Sequence, residues 1–136
     1  MQAMKAVMLL ADAAQVADGK LNLLGGGWSV TSPGVPSALA LKIEVAWNEA
    51  NERHVLDLRL VDSDGNEVVA LPTYTFEVGR PPGLPAGTAI DHPLAVQVGP
   101  LAMLRPGERY TWEMTIDGEA SDDWRCAFYV RPAVQP

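Results

Sequence analysis

The sequence has little cysteine, little histidine and no run of like charges. Cys126 is the single cysteine, so the 136-residue chain can form no internal disulfide and no zinc site built on paired thiolates. The two histidines, His54 and His92, have no second ligand at metal-binding spacing. No five or six like charges follow one another, which excludes a charged tail. We expect no metal, no cofactor and no need for an oxidising compartment.

The charge balance and the N-terminal segment argue against two further classes of partner. Ten basic and 17 acidic residues give a net charge of −7, and an acidic surface repels nucleic-acid phosphates and anionic lipid headgroups. The apolar run within residues 1–10 breaks at Asp12, too early for a signal peptide or a bilayer span. We therefore expect no nucleic acid and no membrane as partner, and a cytoplasmic protein.

Short alternating runs between glycines and prolines predict strands and turns. The 12 glycines and 11 prolines are spread through the chain, and apolar and polar residues alternate between them, most clearly in residues 110–116 and 124–130. In residues 38–47 the apolar side ends with Trp47. Such one-sided strands are typical of two stacked sheets. The sequence predicts one domain over residues 1–136, an all-β, antiparallel, immunoglobulin-like β-sandwich of about eight strands, with a closed barrel as the alternative.

An Asp-Gly pair joins the first two predicted strands. Asp18–Gly19 lies between apolar segments, which is a strong signal for a two-residue hairpin between strands at residues 5–15 and 20–30. In that register Asp12 lies opposite Gly25. A carboxylate there would accept hydrogen bonds from the N–H groups of a glycine-rich strand and hold its irregular shape. On this hypothesis Asp12→Ala destabilises the fold markedly; a catalytic or cation-binding carboxylate is the alternative.

The triple glycine does not fit a phosphate-binding loop. Gly25, Gly26 and Gly27 are followed by Trp28 and more strand, without the helix, lysine and serine or threonine that such a loop needs. A bulge or kink in a strand accounts for them better. Trp28 has no clear strand phase, unlike the other three tryptophans, and is our candidate for an aromatic side chain on the surface.

A proline-rich loop is the second candidate for a contact surface. Residues 79–88 contain three prolines and are long for a loop in a compact sandwich. The prolines reduce the entropy lost on binding. Arg80 and Leu84 are the candidate contact residues, Leu84 as an exposed apolar anchor. Covering a sheet edge is an equally good use of such a loop.

The remaining motifs are incomplete. Residues 62–66 resemble the opening of a calcium loop, but its twelfth position is Thr73 instead of glutamate, so a hairpin turn explains them better. The acidic cluster at residues 117–123 is expected to be a solvated hairpin loop. His54 and His92 are expected at surface or edge positions. Because no Gly-x-Ser-x-Gly elbow exists either, we assign no catalytic residue.

Three segments of the sequence resemble a known family: the pattern LADxAxVxxGKLxxxGGGW in residues 10–28, the loop at residues 79–85 and the ending at residues 124–132. The chain resembles a family of small bacterial and phage-associated proteins of unknown function. The resemblance implies a stand-alone domain of this length, and a virion location if the chain is of phage origin. These motifs name no activity, so no catalytic residue carries over.

These observations favour a non-catalytic protein-interaction or assembly module that binds a protein partner or a second copy of itself. Sheet edges and the proline-rich loop would be its contact surfaces. One alternative is a structural component of a phage or other particle, such as a decoration or tail protein. The other is a carbohydrate-binding or hydrolytic protein that uses Trp28 and an acid.

Overall fold

A computed structural model of the chain describes residues 4–132 as two β-sheets packed face to face. The ten strands and one 3-10 turn are, in chain order, β1 Lys5–Ala17, β2 Lys20–Gly26, β3 Val30–Thr31, β4 Ala38–Val45, the turn Trp47–Glu49, β5 Arg53–Asp62, β6 Glu67–Ala70, β7 Tyr74–Glu77, β8 Ile90–Gln97, β9 Arg109–Ile116 and β10 Arg125–Val130. The predicted all-β sandwich is confirmed, with ten strands instead of about eight. No helix within residues 4–132 has the length and hydropathy of a membrane span.

The two sheets have different sizes. The four-stranded sheet has the order β2-β1-β4-β8, and the six-stranded sheet has the order β3-β10-β9-β5-β6, with β7 also paired to β5. Two separate sheets rule out the closed barrel; the immunoglobulin-like type of sandwich stays a prediction. The predicted strand at residues 20–30 was too long, because it stops at Gly26 and β3 joins the other sheet, parallel to β10.

Alternation along the strands builds the core between the sheets. Leu41, Leu60 and Trp112 are 0, 0 and 1% exposed, and each such side chain contributes about 1.5–3 kcal/mol by leaving water. The predicted inward phases of residues 110–116 and 124–130 are confirmed. The strand predicted over residues 38–47 was too long, because β4 ends at Val45; Trp47 lies half-buried in the 3-10 turn and still packs against the same core.

A second, smaller apolar cluster lies on the opposite face of β4. It consists of Ala14, Ala38 and Ala40, with Leu21 and Ala95 packed against it. Ala38 and Ala40 alternate with core leucines, so they point away from the sandwich interior and the β1–β2 hairpin covers them. The side-chain amide of Gln97 donates to the carbonyl of Ala14 and fastens the hairpin there.

Candidate functional site

The β1–β2 hairpin has the register that the sequence predicts. Ala17 pairs with Lys20 across the turn, which brings Asp12 opposite Gly25. A Cβ atom on Gly25 would lie 2.8 Å from Asp12 Cγ, and the φ of Gly25 is +60°. The Asp12 carboxylate therefore occupies the space that a side chain at Gly25 would need.

The hydrogen bonds expected for Asp12 are not found. Within residues 4–132 its carboxylate has no hydrogen-bond partner, because it lies beside the glycine Cα and is exposed to water. Gly27 makes the contact that ends the hairpin: its N–H donates to the Leu10 carbonyl at 2.7 Å, and its φ of +87° turns the chain away from β1. Gly26 is the last residue of β2. The glycines thus lie where the strand ends and the chain changes direction.

Trp28 is not the surface aromatic that its lack of phase suggested. Its ring is half-buried and packs edge-on against Phe128, with centroids 6.2 Å apart and planes at 87°. The indole N–H is buried and has no acceptor within residues 4–132. Trp28 does not follow the alternation of either strand, because it lies between β2 of one sheet and β3 of the other. Its ring packs where the chain passes between the two sheets.

Arg80 fixes the proline-rich loop to the body of the sandwich. Its Nε and Nη2 donate to the Trp47 carbonyl at 3.1 and 2.7 Å, and its guanidinium lies 4.7 Å from the centre of the Trp47 ring. The Arg80 side chain therefore makes contacts within this chain, at the position where the sequence suggested a contact with a partner. Leu84, at the tip of the same loop, is 37% exposed and remains open to contact.

One long edge of the four-stranded sheet is left without a neighbouring strand. On the side of β1 away from β4, β2 pairs only from Ala11 onward. The Leu10 carbonyl points to that side, since it accepts from Gly27. Backbone groups alternate along a strand, so Ala6 and Met8 point the same way. Within residues 4–132 no backbone partner pairs with them there.

A groove of about 610 Å³ runs beside this edge. It is lined by the five consecutive residues 4–8, by Lys42 and Glu44 of the neighbouring β4, and by Ser121, Asp123 and Trp124. Five of the ten large apolar side chains exposed in residues 4–132 lie on this hairpin: Val7 56%, Leu9 40%, Val16 42%, Leu23 40% and Leu24 71%. Val7 and Leu9 share the outer face of the sheet, since they pair with Lys42 and Ala40 of β4. We call the open edge at residues 5–9, together with the side chains of Val7 and Leu9, the β1 surface.

The other strand edges are short or interrupted. β8, the far edge of the same sheet, carries Pro93 in its middle, and β3 has two residues. β6 and β7 have four residues each and flank Pro72. Short strands and prolines are the usual protection of sheet edges against pairing with other chains. Among the described strand edges, β2 and the N-terminal half of β1 lack both, and β2 is bent near its end by Gly25, whose φ is +60°.

Sequence reasoning missed an ion pair between a buried histidine and an aspartate at the surface. His54 is 2% exposed, with Nδ1 2.8 Å from Asp117 Oδ2 and Nε2 2.8 Å from the Glu49 carbonyl. Burial alone would lower the pKa of His54, but these hydrogen bonds and the charges of Asp117 and Glu49 together raise it. Burial would raise the pKa of Asp117, but His54 and the Val55 N–H hold it below its usual range. The expectation of a surface or edge position for His54 was wrong, whereas residues 117–123 form the mostly exposed turn that was expected, with Asp117 directed at His54.

The same histidine decides whether a metal fits there. Ligand atoms of Glu49, Glu52 and His54 lie within 4.8 Å of one another. However, both ring nitrogens of His54 already face Asp117 and a carbonyl oxygen, so neither lone pair is directed at an ion. The arrangement suits an ion pair better than a metal site.

A second groove, of about 670 Å³, lies on the outer face of the six-stranded sheet. Arg59 and Arg125 both pair with Glu113 in it, at 2.9 and 3.0 Å. These charges neutralise one another in part and are exposed to water, so they do not single out a ligand. Cys126 lies against the core, and burial raises the pKa of its thiol despite a backbone hydrogen bond from Leu10, which does not suit a nucleophile.

Comparison with known proteins identifies a family to which no function is assigned. No curated protein sequence matches the chain. Among solved structures it is similar to the Pseudomonas fluorescens alkylpurine DNA glycosylase AlkC bound to DNA containing an abasic site analog, at 17% identity and a TM-score of 0.49, covering 94% of this chain and 30% of that chain. A family model matches residues 6–131. The chain belongs to DUF6941, a family of unknown function.

Proposed function

We propose that this chain is a non-catalytic protein-interaction module whose contact surface is the β1 surface. The observation that carries the proposal is the unprotected edge at residues 5–9 beside exposed apolar side chains. The free N–H and C=O groups of Ala6 and Met8 would pair with an extended segment of a partner or of a second copy, which adds a strand to the four-stranded sheet.

The apolar side chains next to the edge support the same contact. Val7 and Leu9 point away from the core and are 56 and 40% exposed, directly beside the unpaired backbone groups. An added strand would place its own side chains against them and remove that surface from water. Backbone bonds would supply pairing, and the apolar row would supply affinity and register.

Two other functions remain less well supported. A structural component of a phage or other particle is one form that such an assembly module takes, and the same surface would serve it. A carbohydrate-binding or hydrolytic protein needs an open aromatic platform beside an acid, and the packing of Trp28 against Phe128 does not favour that role.

The test compares three substitutions in the full chain. Val7→Ser removes the most exposed side chain of the β1 surface, and Ala6→Pro removes an N–H of the open edge while leaving the bonds to β4 intact. Met103→Ser is the matched control, because Met103 is 47% exposed elsewhere on the molecule. Solution mass by light scattering over a range of concentrations, and co-purification from the native host, report self-association and partner binding. Thermal unfolding verifies that each variant folds.

We expect wild type and Met103→Ser to form the same complex. Val7→Ser and Ala6→Pro should weaken it about tenfold or more, since burying one valine is worth about 1.5–3 kcal/mol. A monomer with no co-purifying protein, or a complex that all three variants form equally well, would contradict the proposal. Loss of the complex with Val7→Ser but not with Ala6→Pro would support the surface as the contact and reject strand addition.

A further inference from the structure

The hydrogen-bond geometry of His54 indicates the protonation state of its ring. Both ring nitrogens lie 2.8 Å from oxygens that only accept, one on Asp117 and one on the Glu49 carbonyl. A neutral imidazole has a single N–H, so it can satisfy only one of these acceptors. The geometry therefore fits the doubly protonated imidazolium, enclosed in the protein at 2% exposure.

Asp117 is itself fixed against β5. Its Oδ1 accepts from the Val55 N–H at 2.9 Å, and its own N–H donates to the Val55 carbonyl at 2.7 Å. Its φ of +53° is the left-handed conformation of the turn between β9 and β10. The carboxylate thus cannot follow His54 if the ring moves.

The other end of the contact is the 3-10 turn at residues 47–49. Two cationic side chains hold two of its carbonyl oxygens: His54 binds that of Glu49, and Arg80 of the proline-rich loop binds that of Trp47. Positive groups are favourable where carbonyls end a helical turn. The turn is therefore the common anchor of the buried histidine and of the loop that carries Leu84.

The charged groups that face His54 from other elements within residues 4–132 are acidic. Asp117 comes from the β9–β10 turn, Glu49 from the 3-10 turn, and Glu52 follows it with a carboxylate oxygen within 4.8 Å of the cluster. From β7 the uncharged ring of Phe76 packs against His54, with centroids 5.4 Å apart. His92 of β8 stacks on Phe76, with centroids 4.9 Å apart. Burial lowers the pKa of His92, so that ring brings no positive charge at neutral pH.

We propose that His54 is a proton-dependent latch that holds the 3-10 turn and, through Trp47 and Arg80, the proline-rich loop. Loss of the ring proton leaves a lone pair facing either the Asp117 carboxylate or the Glu49 carbonyl, and that contact becomes repulsive. The turn at residues 47–49 then loosens, and the loop loses its fixed platform. This inference is independent of the β1 surface.

The sign of the pH dependence follows from the direction of the shift. The pKa of His54 is raised in the folded chain above its ordinary value of about 6.5. The latch is therefore fully closed below about pH 6.5 and opens as the pH rises through the folded pKa.

The experiment is an NMR titration of the full chain between about pH 5.5 and 9.5. The His54 ring signals give its pKa, and protection factors of the Glu49 and Ala50 amides, which donate within the 3-10 turn, report whether the turn is closed. The variants are His54→Gln and Asp117→Asn, with His92→Gln as the control histidine. Protection factors correct for the faster intrinsic exchange at high pH.

We expect Ala50 protection to fall about tenfold as wild type and His92→Gln pass the His54 pKa. In His54→Gln it should be low at every pH, and in Asp117→Asn the His54 midpoint should be lower than in wild type. A wild-type His54 midpoint at or below about 6.5, or Ala50 protection that does not change across it, overturns the proposal. Both measurements need only wild type, so they decide the matter even if a variant does not fold.

Discussion

Gly25 and Asp12 offer a direct test of how the first hairpin is built. In Gly25→Ala the new Cβ would lie 2.8 Å from Asp12 Cγ, and the residue would keep a φ of +60°. A left-handed conformation costs alanine about 1–2 kcal/mol. Turning the exposed Asp12 side chain out of its rotamer costs about 0.5–1.5 kcal/mol more. We expect Gly25→Ala to lower the free energy of unfolding by about 2–3 kcal/mol.

A double-mutant cycle separates the two costs. Asp12→Ala alone should change stability by no more than about 0.5 kcal/mol, since the carboxylate is exposed and has no hydrogen bond within residues 4–132. Asp12→Ala with Gly25→Ala should recover about 1 kcal/mol, because only the backbone strain remains. Gly27→Ala is the matched control: its φ is +87°, and an added Cβ meets nothing within 4 Å. It should cost the strain alone, with or without Asp12→Ala.

Urea unfolding followed by tryptophan fluorescence measures wild type and the five variants. Additive effects of Asp12→Ala and Gly25→Ala would refute the contact between the two residues. A loss above about 1.5 kcal/mol in Asp12→Ala alone would instead restore the hydrogen-bonding role that the sequence suggested.

Three further predictions concern other parts of the fold. In urea unfolding, His92→Gln should lose stability as the pH rises above about 6.5, because His54, with its raised pKa, then loses the proton that stabilises the folded chain. His54→Gln should lose stability as the pH falls below about 6.5, because protonating His92 in the folded chain is unfavourable. Arg80→Ala should cost about 1 kcal/mol and shift the Trp47 emission, whereas an unchanged spectrum would remove the contact. Leu60→Ala should cost about 2–5 kcal/mol, visible as a lower thermal midpoint; a loss below about 1 kcal/mol would contradict its place in the core.

Local chemistry made part of this fold predictable. The strand at residues 110–116 alternates apolar and polar side chains because one face meets the core, and that signal needs no knowledge of the partner strand. Asp18–Gly19 likewise fixed the hairpin register, and thereby the position of Asp12 opposite Gly25, because two-residue turns demand positive φ. Period and turn chemistry act over a few residues and are visible in the sequence.

The parts that were missed depend on contacts between distant segments. His54 and Asp117 are 63 residues apart, and nothing near either residue signals the other. The alternation of β5 gave the only available hint, since His54 falls in phase with its buried leucines. Trp28 was misjudged for a similar reason: its ring follows the crossing between sheets, which β3 completes against β10.

The N-terminal half of β1 shows a mismatch between sequence and environment. Residues 6–11 are apolar at every position, a pattern typical of strands covered on both faces. The core covers one face, and the opposite face is also covered at Ala11, which is 0% exposed beside the folded-over hairpin. That cover stops before Leu9 and Val7, whose side chains are 40 and 56% exposed. Within residues 4–132 the outer face of β1 therefore stays partly open at Val7 and Leu9, and burial of these two side chains is what the proposed contact at the β1 surface would add.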